Sequence, residues 1–88
     1  MTTIRIALAN LRSPSTRDES VDRANIAIDG ARQLGAQVVC FPECFVPGYR
    51  WANQTYAPPD QSFLDRALAE LAASARAANI TVILSTER

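Results

Sequence analysis

Large apolar side chains at Ile4, Ile6 and Leu8 alternate with Arg5, Ala7 and Ala9, the period of two that a strand imposes on its opposite faces. A first strand over residues 4–9 follows. Past Pro14 the period changes. Thr16-Arg17-Asp18-Glu19 matches a capping box, in which the Thr hydroxyl and the Glu carboxylate each take up a free backbone N–H at a helix start. Val21, Ala24, Ile28, Ala31 and Leu34 then recur at helical spacing, with Asp22, Arg23, Asp29 and Arg32 left for the outer surface. Gly35 supplies the stop, so the helix is predicted to run to about Leu34.

Two short apolar runs, 37–41 and 80–84, are too short for helices and rich in β-branched residues, so both read as strands buried on both faces. Between them Pro58-Pro59-Asp60 marks a turn with an N-cap. Phe63 and Leu64, Ala67 and Leu68, Leu71 and Ala72, Ala75 and Ala78 build a second amphipathic helix that ends near Asn79. The predicted order is β-α-β-α-β. Strands separated by helices of this length imply right-handed crossovers and a parallel sheet. If the strands are laid down in one direction across that sheet, both helices fall on one face and leave the other bare. Val38 and Cys40 point one way and Val39 and Phe41 the other, so the second face also carries apolar side chains. Its cover is expected from outside these 88 residues.

Composition adds exclusions. Hydrophobic residues at 48% and charged residues at 20% match a folded globular chain and rule out the profile of disorder. Nine acidic residues balance nine basic ones, all Arg and scattered from Arg5 to Arg88, which leaves no electrostatic footprint for nucleic acid or an anionic membrane. No apolar run approaches the ~18–20 residues of a membrane span, and the start has no signal-peptide layout, so the chain reads as cytoplasmic. Cys40 and Cys44 have no His and no second pair to complete a zinc shell, and reduced thiols fit them best. Asn10-Leu11-Arg12-Ser13-Pro14 stands where a nucleotide-binding glycine-rich loop would follow the first strand.

The candidate chemistry lies after the second strand. Ligands of open parallel sheets bind beyond the carboxyl ends of the strands, where Phe41-Pro42-Glu43-Cys44-Phe45 puts the one acid between Asp29 and Asp60. An apolar wall of Phe41, Phe45 and Trp51 would make the Glu43 carboxylate a better proton acceptor. A glutamate in a turn is more often a solvated surface residue, and spacing alone favours that plainer reading. Pro47-Gly48 suits the centre of a type II turn that would aim Tyr49 and Trp51 at a pocket; packing of the loop or of a subunit interface fits these aromatics equally well. A lone Arg50 beside aromatics is more often a surface cation packed over a ring than a substrate contact.

The run Val38-Val39-Cys40-Phe41-Pro42-Glu43-Cys44-Phe45-Val46-Pro47-Gly48-Tyr49, preceded by a capped helix ending in Leu-Gly-Ala, resembles the nitrilase superfamily of carbon–nitrogen hydrolases. The resemblance covers essentially the whole chain, with 38–49 as its specific part. It implies that residues 1–88 are the N-terminal segment of a single domain, the first β-α-β-α-β of an α-β-β-α sandwich that is incomplete here. It further implies a Glu-Lys-Cys triad, with Glu43 as its catalytic glutamate and Phe45, Tyr49 and Trp51 at the substrate pocket. The reaction implied is hydrolysis of an amide, nitrile or N-carbamoyl compound, without cofactor or metal, by a homo-oligomer. The sequence departs from that pattern in one respect. It contains no Lys, and Cys40 and Cys44 do not stand where the family's nucleophile lies, which is well downstream, beyond Arg88. The competing expectation is a non-catalytic α/β binding or assembly module, a truncated relative of the hydrolases.

Overall fold

The computed structural model describes residues 3–87, in the order β1 (Ile6–Leu8), α1 (Arg17–Gln33), β2 (Val38–Cys40), α2 (Gln61–Ala78) and β3 (Thr81–Ile83). The three strands form one parallel sheet with β2 at its centre. Among the described residues, no helix is long and apolar enough to cross a membrane.

Both helix starts rest on their caps. Thr16 Oγ1 accepts the Glu19 N–H at 3.0 Å, and Asp60 Oδ1 accepts the Phe63 N–H at 3.1 Å. Only the first half of the expected capping box forms, because the Glu19 carboxylate accepts from Arg23 Nε at 2.7 Å instead of turning back to the Thr16 N–H. The helix ends are left-handed caps. Gly35 at φ 75 donates to Arg32 O while the Ala36 N–H returns to Ala31 O. Asn79 at φ 53 does the same for α2, with the Ile80 N–H bonded to Ala75 O. Leu34 sits at the first of these caps and is 71% exposed, so the buried stripe of α1 stops at Ala31. Leu68 and Ala72 also face outward, and α2 buries the narrower set Phe63, Leu64, Ala67 and Leu71.

The register places Ala7, Val39 and Val82 in one row. This row meets the helices, with Val39 fully buried and Ala7 and Val82 packed against the core. Small residues on β1 let the helices approach closely, while the large β1 side chains Ile6 and Leu8 point away. The opposite rows, Ile6–Val38–Thr81 and Leu8–Cys40–Ile83, have no helix over them. Leu8 is 78% exposed, Ile83 is exposed, and Val38 and Cys40 are half-buried. Within the described residues β2 and β3 are thus covered on one face alone, as two right-handed crossovers on one side require. Cys40 and Cys44 are free thiols.

Asp60 ties the two helix starts together. Its second oxygen accepts from Arg17 Nη1 at 2.8 Å, and the Arg17 guanidinium lies 4.6 Å above the Phe63 ring. The Phe63 N–H first, and Arg17 second, hold the Asp60 carboxyl below its ordinary range. A group whose folded pKa lies below its unfolded value, about 3.9 for Asp, stabilises the fold above that value and loses its effect as pH falls through the folded one. Asp60→Asn keeps the capping oxygen and removes the titration. Its melting temperature is expected to fall less steeply on acidification below pH ~4 than that of the parent, which a pH series of thermal melts checks.

Candidate active site

Ladder bonds carry β2 right up to the loop that follows it. The Ala9 N–H donates to Cys40 O at 2.8 Å, and the Phe41 N–H donates to Ile83 O at 3.0 Å. Pro42 has no N–H to extend the ladder and fixes its own φ. The chain then reverses at once, with the Phe45 N–H bonded to Pro42 O at 3.2 Å. Glu43 and Cys44 are the central residues of this turn. Cys44 takes φ 50, an uncommon region for a residue with a side chain. Glu43 is exposed at the tip, at the carboxyl end of the central strand.

The reversal thus comes earlier than Pro47-Gly48, where a type II turn was expected. Gly48 does take positive φ, at 139, but its N–H closes back on Cys44 O at 3.1 Å and the Val46–Pro47 peptide is cis. The reversal at Glu43-Cys44 turns Phe45 and Val46 inward. Phe45 is 3% exposed, its ring centroid 5.8 Å from that of Phe41, and it belongs to the core that includes Val39, Leu64 and Ile80. Phe45 is not among the residues that line the cavity described below. The apolar wall expected around Glu43 is not assembled either: Phe45 is buried, and Trp51 pairs edge-on with Tyr49 at 5.0 Å.

Tyr49 and Trp51 do stand at a cavity, an open one of about 490 Å³ between the loop after β2 and the starts of both helices. Tyr56, Arg50, Asp60 and Glu87 share its lining, and Glu43 lies outside it. Both guanidiniums on its wall are paired. Arg17 holds Asp60, while Arg50 donates through Nε and Nη2 to the two oxygens of Glu87 at 2.5 and 3.2 Å and packs 5.3 Å from the Tyr56 ring. Arg50 Nη2 also reaches Ala57 O at 2.7 Å, so the loop is drawn together around this side chain.

Two residues after β3 escaped the sequence reading. Ser85 Oγ accepts the Cys44 N–H at 3.0 Å, and Glu87 holds Arg50. Neither has a local signature, although Glu87 is an acid at the same carboxyl end of the sheet as Glu43, which was a usable signal. Among the described residues no hydrogen bond joins the Cys44 thiol to Glu43. The arrangement presents an exposed carboxylate above the central strand, able to accept a proton from a group docked over the sheet end.

A family model for carbon–nitrogen hydrolases matches residues 5–88, and the chain belongs to that family. Over 34 residues it is 44% identical to a protein described as a nitrilase from Bacillus sp. (strain OxB-1), a stretch that covers 39% of this chain and 10% of that relative. No solved structure matches the chain significantly.

Proposed function

We propose that this chain is the base-bearing segment of a hydrolase that cleaves a non-peptide carbon–nitrogen bond in an amide, nitrile or N-carbamoyl compound. The observation that supports this most directly is the position of Glu43, exposed on a tight turn at the carboxyl end of the central parallel strand. In the triad implied by the resemblance, the Glu43 carboxylate takes the proton of a cysteine thiol as the sulfur attacks the substrate carbon. Glu43 returns that proton to the nitrogen, which leaves an amide or N-carbamoyl substrate directly and a nitrile only after water has added to its thioimidate, and a thioester remains on the cysteine. Glu43 then takes a proton from the water that hydrolyses the thioester, while a lysine stabilises the charge that develops on the substrate. The chain contains no Lys, and Cys44 has no hydrogen-bonded link to Glu43, so both partners belong to polypeptide outside residues 1–88 in this proposal.

The test is ammonia release by the full-length polypeptide from a nitrile, a primary amide and an N-carbamoyl amino acid. The expected result is ammonia from at least one class, together with an acyl adduct by mass spectrometry on a cysteine other than Cys40 and Cys44. An intact, folded protein that releases none from any class supports the non-catalytic assembly module instead.

A further inference from the structure

We propose that Ser85 is a positioning residue, one that holds Glu43 in its reactive orientation through the backbone N–H of Cys44. This inference rests on the reading of Glu43 as the general base. Among the described residues the Glu43 side chain has no hydrogen-bonded partner, so the direction it takes is set by the backbone of its turn. That turn is weakly closed from within, by one bond of 3.2 Å from the Phe45 N–H to Pro42 O. The peptide unit joining Glu43 to Cys44 is the lever. Its N–H is held at 3.0 Å on Ser85 Oγ, and with Phe41 held in the ladder and Pro42 fixing its own φ on the other side, holding that plane restricts ψ of Glu43 and with it the path of the Cα–Cβ bond.

Ser85 is well placed to serve as an anchor. It follows a strand whose Ile83 carbonyl is bonded to the Phe41 N–H, and its neighbour Leu84 packs against the core. The hydroxyl is thus carried on the ordered edge of the sheet, 41 residues away in sequence from the N–H it receives. Two residues further on, Glu87 grips Arg50 with both oxygens. The segment after β3 therefore holds the loop after β2 at two points, one just after Glu43 and one beyond Gly48. A catalytic carboxylate displaced by about 1 Å can cost as much as ~10²-fold in rate, and Ser85 is exposed, so its removal tests position without opening the core.

The experiment compares Ser85→Ala, Ser85→Thr and Glu43→Gln with the parent in the full-length hydrolase. Ser85→Ala is expected to lower kcat about 10-fold at unchanged KM and melting temperature, and Ser85→Thr, which keeps the hydroxyl, to restore it. The Cys44 amide is expected to exchange slowly with deuterium in the parent and faster in Ser85→Ala. Turnover of Ser85→Ala within twofold of the parent, while Glu43→Gln is inactive, overturns the positioning role and leaves the base reading intact. So does a loss of kcat that follows the melting temperature or that Thr does not restore, and so does free exchange of the parent's Cys44 amide. An active Glu43→Gln overturns the base reading itself, and the role of Ser85 with it.

Discussion

Replacing Glu43 by Gln is expected to lower kcat of the full-length hydrolase by about 10²–10⁴-fold, the range general acid–base groups contribute. The amide has nearly the shape of the carboxylate but cannot take the proton of the attacking thiol. In the proposed mechanism hydrolysis of the thioester needs the same acceptor, so both halves of the reaction lose it. Stability is expected to hold, because Glu43 is exposed at a turn tip and substitutions at such sites stay within about 0.5 kcal/mol. Steady-state kinetics beside a thermal melt checks both parts. Turnover within a few-fold of the parent removes Glu43 from the mechanism.

Phe45→Ala is expected to act on the fold and not on the substrate. The ring is 3% exposed and tilted against Phe41 at 5.8 Å, inside the cluster that joins the sheet to α2. Emptying such a site costs about 3–5 kcal/mol, a large share of the roughly 5–15 kcal/mol that holds a domain together. A marked fall in melting temperature, with KM of the surviving folded enzyme unchanged, is the expected outcome. A raised KM at parental stability would return Phe45 to the substrate pocket that the sequence reading gave it.

The contrast between Glu43 and Phe45 shows where the sequence was legible. The element order β-α-β-α-β, the parallel sheet and both helix caps were open to inspection, since a cap or a helical stripe is decided by residues three or four apart. The carboxyl end of β2 was equally legible, because Pro42 breaks the ladder wherever it stands. The destination of Phe45 was not. Residues 41–51 carry four aromatics and two prolines around one acid, and the same string is compatible with a wall above Glu43 or with a core beneath it. The early reversal at Glu43-Cys44 selects the second, by turning Phe45 and Val46 down between the sheet and α2.

By itself, then, the sequence determined the period of each segment, the points where helices begin and stop, and the place of a glutamate at a strand end. These depend on backbone geometry and on hydrogen bonds within one turn, which neighbours in the chain supply. Only the tertiary structure decided that Ala7 and not Ile6 faces the helices, that Leu34 and Leu68 stay exposed, and that Ser85 and Glu87 hold the loop after β2. Each of these is a choice between two faces or among many partners, settled by side chains that lie tens of residues away and meet only when both crossovers fold onto the same side of the sheet.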